Sequence, residues 1–119
     1  MKKTAIITGS SKGIGKAITK MLLKKNYDVY GYSRSNSLTH KNFKFRQSNL
    51  SDLNQVKKIK LPNINEESEV ILINNAATIG NILPLNEKLD SDIIYEYNLN
   101  LISPVLMIKK FINKYPSHN

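Results

Sequence analysis

Residues 4–15, Thr-Ala-Ile-Ile-Thr-Gly-Ser-Ser-Lys-Gly-Ile-Gly, constrain the fold more than any other stretch of the chain. A short, β-branched, apolar run ends at Gly9, and Gly13 and Gly15 follow before an amphipathic segment opens. The pattern predicts a strand over 4–8, a tight turn, and a helix over 13–25 that Asn26 closes. Ile14, Ala17, Ile18, Met21 and Leu22 fall on one face of that helix; Lys16, Lys20 and Lys24 fall on another. A helix that starts directly after such a turn exposes unpaired N–H groups with partial positive charge. With no side chain in the way, they can seat an anion such as a phosphate.

The rest of the chain extends the alternation. Residues 27–33 and 43–47 read as the second and third strands, the third alternating apolar and polar as a strand near an edge does. No clear helix separates them. Ser51 and Asp52 cap a short helix with Leu53, Val56 and Ile59 inward. Residues 69–75 read as a fourth strand, continuously apolar along Val70-Ile71-Leu72-Ile73, as expected under cover on both faces. A loop over 76–85 precedes a last long helix that starts at Leu89 or Asp90. This helix carries Ile93, Ile94, Tyr97, Leu101, Val105, Ile108 and Ile112. Pro104 is expected to bend it, because proline lacks an N–H and crowds the carbonyl four residues back. Residues 114–119 read as a frayed polar tail. The order β-α-β-β-α-β-α predicts an α/β fold: a partial Rossmann-like doubly wound parallel sheet with strand order 3-2-1-4.

Composition narrows the class. The 119 residues suit one domain, and the absence of cysteine removes disulfides and thiolate metal sites. The longest apolar runs are too short to span a bilayer, and the short basic start does not read as a leader. No membrane partner is expected, and the cytoplasm is the expected compartment. A net charge of +9 attracts polyanions. The lysines are scattered along helices, however, and no aromatic or arginine-rich recognition surface is evident, so a nucleic-acid partner is not expected.

Three segments carry a family resemblance: Thr8-Gly9-x-x-x-Gly13-Ile14-Gly15, Asn74-Asn75-Ala76-Ala77 and Tyr97-Asn98-Leu99-Asn100-Leu101. Together they resemble the short-chain dehydrogenase/reductase family. Ala77 departs from the glycine usual at its position. The resemblance implies a dinucleotide cofactor held by Gly9, Ser11, Lys12, Gly13, Ile14 and Gly15 in the turn and by Asn75, Ala76 and Ala77 after the fourth strand. Asn49 and Leu50 follow the third strand at the adenine-contacting position. An aspartate is usual there, and Asn49 is expected still to hydrogen-bond the adenine amino group. Asn100 resembles the asparagine of the catalytic tetrad, which holds a water in a proton relay and interrupts its helix locally.

In this fold an acidic residue ending the second strand takes the ribose 2′-hydroxyl, and an arginine there accommodates a 2′-phosphate. The strand ends Gly31-Tyr32-Ser33-Arg34-Ser35 without a carboxylate, and Asp28 lies at its far end, about five residues and roughly 17 Å away. Arg34 can fork onto a phosphate, Ser33 and Ser35 can donate to it, and Lys12 adds charge. NADP(H) is therefore the expected cofactor.

Hydride transfer to a carbonyl needs a proton donor. The resembled family uses a tyrosine with a lysine four residues later, and a serine. None of the six tyrosines of this chain has a lysine at that spacing. The resemblance therefore implies an oxidoreductase of the carbonyl reductase/alcohol dehydrogenase class. Residues 1–119 are expected to form an NAD(P)-binding domain that is incomplete at its C-terminus and inactive alone. The alternative is a non-catalytic NADP(H)-binding or partner-assembling module. The loop over 78–85 resembles that of family reductases acting on aromatic diketones or pterin side chains. The fourth strand is expected to form a sheet edge, with a homo-oligomer assembled through that edge or the last helix.

Overall fold

The computed structural model describes residues 2–116. Four strands, β1 (Lys3–Thr8), β2 (Asp28–Ser33), β3 (Phe43–Gln47) and β4 (Glu69–Ile73), form one sheet in the order β3-β2-β1-β4. Each neighbouring pair is parallel, with Ile6 opposite Tyr30 on one side and Leu72 on the other. The predicted strand order and the absence of a helix between β2 and β3 both hold. β4 is an edge of the sheet, as expected, and it stops at Ile73 rather than residue 75.

Side-chain alternation along β1 divides the core. Ala5 and Ile7 meet Leu22, Leu23, Val29 and Phe43 on the face covered by α1 (Gly13–Lys24). Ile6 points the other way, into a cluster with Tyr32, Leu50, Val56, Leu61, Val70, Met107 and Tyr115. That cluster lies under α2 (Leu53–Lys58) and α4 (Ser103–Lys114). Helices on both faces of a parallel sheet are the doubly wound arrangement.

Local chemistry sets the helix ends. Asn26 takes φ 63° after α1, and the Asn26 and Tyr27 N–H groups return to the Leu23 and Leu22 carbonyls, a Schellman closure. Asp52 caps α2 by accepting from the Asn54 N–H. Lys110 of α4 closes its other end, donating to the carbonyls of Lys57 and Ile59.

Three expectations need correction. The buried face of α1 is Gly15, Thr19, Leu22 and Leu23, whereas Ile14 is 74% exposed and Met21 also faces solvent. Period alone did not phase the helix, because a glycine and a threonine occupy its tightest contact. The last helix is three pieces: α3 (Asp90–Tyr97), a π-helical turn over Asn98–Ile102, and α4. The predicted local interruption is this turn. Ser103 N–H bonds the Asn98 carbonyl five residues back, and Pro104 falls at the start of α4, where a missing N–H costs little. The wider turn also rotates the helix. Ile94, Tyr97, Leu101, Val105, Ile108 and Ile112 lie 45–62% exposed, while Leu99, Met107, Phe111 and Tyr115 face the core. Finally, Tyr115 is no part of a frayed tail. It is 3% exposed, stacks edge-on against Phe111 and donates its hydroxyl to the Pro62 carbonyl. Residues 117–119 lie outside the described residues.

Candidate functional site

A cleft of about 340 Å³ opens at the carboxyl ends of the strands. Its floor is the turn between β1 and α1. Gly9 (φ 70°) bends the chain off β1, and a Cβ there would meet the Ala76 backbone at 2.9 Å. Gly15 is packed so closely that a Cβ would collide with the Gly9 carbonyl and the Asn75 amide. Gly13 differs from both. It has φ 58°, and a Cβ would meet nothing within 4 Å. The protein leaves the space over Gly13 empty, at the first turn of a twelve-residue helix.

That helix end is electrostatically unfilled. Lys12 stands at the cap position without a side-chain cap bond, and no acidic residue occupies the first turn. The usual devices that satisfy a helix start are absent among the described residues, so its N–H groups remain for an incoming anion.

The segment just after β4 locks the turn in place. The Thr8 hydroxyl accepts from the backbone N–H groups of both Asn75 and Ala76, at 3.0 Å each. Asn75 Nδ2 donates to the Gly9 carbonyl, also at 3.0 Å. Asn75 thus spends its side-chain donor on the turn itself, and Thr8, the first residue of the glycine motif but not among the site residues expected from the sequence, is the pin of the arrangement.

Of the cofactor-binding candidates, Gly9, Ser11, Lys12, Gly13, Ser33, Arg34, Asn49, Leu50, Asn75, Ala76 and Ala77 line this cleft. Gly15 lies just beneath it, and Ile14 projects to solvent. Sequence reasoning missed Ser48, Ser51, Tyr95 and Leu99 as further lining residues. Ser48 and Ser51 follow β3, which the sheet order brings to the same end as the glycine turn, whereas Tyr95 and Leu99 come from α3 and the π-turn, where no sequence signal marked them. No carboxylate lines the cleft among the described residues. Arg34 is exposed at the end of β2, and its carbonyl receives Gln47 Nε2. The buried Ser33 hydroxyl donates to the Ser35 carbonyl, and Ser37 Oγ donates to the Ser11 carbonyl, tying the loop after β2 to the glycine turn.

Asn49 is committed differently from expectation. Its Oδ1 accepts from both the Ser51 N–H at 3.1 Å and Ser51 Oγ at 2.6 Å. The oxygen that was to receive an adenine amino group already holds two donors. Asn100 stands apart from this cleft. Its carboxamide pairs with the Thr78 backbone, accepting from the N–H at 2.8 Å and donating to the carbonyl at 2.7 Å. It borders a second, more apolar hollow with Leu83, Leu85, Ile93 and Tyr97, walled by the Lys88–Glu96 ion pair.

The whole arrangement has a counterpart in known proteins. A family model described as short chain dehydrogenase matches residues 3–118. The chain belongs to the short chain dehydrogenase family. The benzil reductase ((S)-benzoin forming) of Bacillus subtilis (strain 168) is 32% identical over 120 residues. The match covers 96% of this chain and 49% of the relative. Among solved structures, ElxO with NADP bound superposes with a TM-score of 0.71 at 29% identity, over 95% of this chain and 50% of that one. A 4-hydroxyisoleucine dehydrogenase complexed with NADH and succinate gives 0.72 at 26% identity, over 94% and 52%. The chain therefore spans about half the length of the relatives it matches. The family is one of oxidoreductases, and these structural neighbours bind nicotinamide dinucleotides. No helix among the described residues is long and apolar enough to cross a membrane.

Proposed function

We propose that this chain binds NADP(H) across the carboxyl ends of β1, β2 and β3, as the cofactor-holding part of a carbonyl reductase or alcohol dehydrogenase. The observation that carries the reading is the empty space over Gly13 at an uncapped helix start. The diphosphate rests on the N–H groups of residues 13–15, and the adenosine side extends toward Arg34. Arg34, with Lys12 beside the same cleft and no carboxylate in it, favours a 2′-phosphate over a bare ribose hydroxyl.

The bound dinucleotide supplies the hydride. The residues of this chain hold it and fix the loop after β4. Asn100 acts as a positioning residue through Thr78 and lies where the family resemblance puts a proton relay. The 119 residues contain no Tyr-x-x-x-Lys, so by themselves they bind dinucleotide without reducing a carbonyl. The proposed substrate class is a ketone or aldehyde, and the similarity to a benzil reductase supports an aromatic ketone. The proposed compartment is the cytoplasm. A second reading, a non-catalytic NADP(H)-binding module that assembles with a partner, draws support from the exposed apolar side of α3 and α4.

Calorimetric titration with NADPH and NADH, on the wild type and on Arg34→Ala, tests the proposal. The wild type is expected to prefer NADPH, and the variant to lose about tenfold or more of NADPH affinity while NADH is unaffected. Equal affinities in the wild type would remove the 2′-phosphate assignment.

A further inference from the structure

The sheet order β3-β2-β1-β4 fixes how a dinucleotide lies in the cleft. With its phosphates over the β1–α1 turn and its ribose by Arg34, the purine falls at the end of β3, beside Ser48, Asn49, Leu50 and Ser51. The polar character of that segment therefore decides which purine edge is read.

The orientation of the Asn49 carboxamide is settled by its partner. A backbone N–H can only donate, so the atom facing Ser51 N must be the oxygen. Ser51 Oγ donates to the same oxygen. Both acceptor positions of Oδ1 are thus taken. Nδ2 makes no hydrogen bond among the described residues, and Asn49 lines the cleft. What this position offers a ligand is a donor. Asp52, the nearest carboxylate in sequence, is engaged by Asn54 N and Gln55 Nε2.

We propose that Asn49 makes the base subsite a donor site, so that the chain does not prefer an adenine dinucleotide over its 6-oxopurine counterpart. The 6-amino group of adenine is itself a donor and finds no free acceptor on Asn49. A 6-oxo group is an acceptor and matches Nδ2. Adenine still binds, because its ring nitrogens accept, but its amino group adds no selectivity. The inference rests on the dinucleotide reading above and concerns only the base.

The test compares NADPH with reduced nicotinamide hypoxanthine dinucleotide phosphate by calorimetry, on the full chain and on Asn49→Asp. An aspartate keeps an acceptor for both Ser51 donors and turns the free donor into a second acceptor, so the local turn is preserved. The wild type is expected to bind the two dinucleotides within about threefold of each other. Asn49→Asp is expected to shift the ratio about tenfold toward NADPH. A wild type that already prefers NADPH tenfold overturns the proposal, and so does a ratio that the substitution leaves unchanged. Failure of the wild type to bind either dinucleotide overturns the dinucleotide reading itself and this inference with it.

Discussion

Tyr115 shows how much one side chain fastens. It is the last core residue described, and its hydroxyl joins α4 to the Pro62 carbonyl in the connection before β4. Burial, with Tyr32 and Tyr30 nearby, pushes the hydroxyl well above the usual tyrosine range. A raised value means that the folded state holds the proton more tightly than the unfolded chain. The stabilisation is complete below the unfolded value of about 10 and is lost as pH rises from there through the folded value. Thermal melts are expected to weaken steeply above about pH 10. Tyr115→Phe is expected to cost about 0.5–1.5 kcal/mol at neutral pH and to flatten that alkaline loss. A variant that melts like the wild type at every pH would remove Tyr115 as a fastener. None of this was legible in the sequence, where a tyrosine among Lys, Pro, Ser, His and Asn reads as tail. Its burial depends on Pro62, more than fifty residues away.

The elements themselves were legible where local pattern and backbone demand agree. The β1–glycine–α1 unit was readable because Gly9 and Gly13 sit at positive φ and Gly15 at a contact with no room for a Cβ. Gly15→Ala is therefore expected to destabilise by about 1–3 kcal/mol, since the colliding Gly9 carbonyl is backbone and cannot swing aside. Urea unfolding measures this directly, and an unchanged midpoint would contradict the packing described. The last helix was less legible. Its apolar residues satisfy a helical period on two sides, and only the π-turn over Asn98–Ile102 decides which side meets the sheet. The interruption at Asn100 was readable from resemblance, but the rotation it causes was not. Asn49 carries the same lesson: residue type suggested an adenine acceptor, while the neighbouring Ser51 takes that acceptor for the backbone turn.

Taken as a molecule, the chain combines the proposed cofactor end with an exposed apolar side. β4 is a sheet edge, and the outer side of α3 and α4 exposes Ile94, Tyr97, Leu101, Val105, Ile108 and Ile112 together. Apolar exposure of that extent favours association. Sedimentation is expected to show concentration-dependent self-association that Val105→Lys with Ile108→Lys reduces; a wild type that stays monomeric at high concentration would contradict it. The cofactor end is the central claim, and a titration of Gly13→Ala against the wild type with NADPH tests it most directly. A Cβ at Gly13 meets no protein atom within 4 Å, so the fold should survive with a backbone cost of about 1–2 kcal/mol. Saturable NADPH binding is expected of the wild type, with a loss of about tenfold or more in the folded variant, because the methyl group enters the space proposed for the diphosphate. Equal NADPH binding by the two proteins would contradict it.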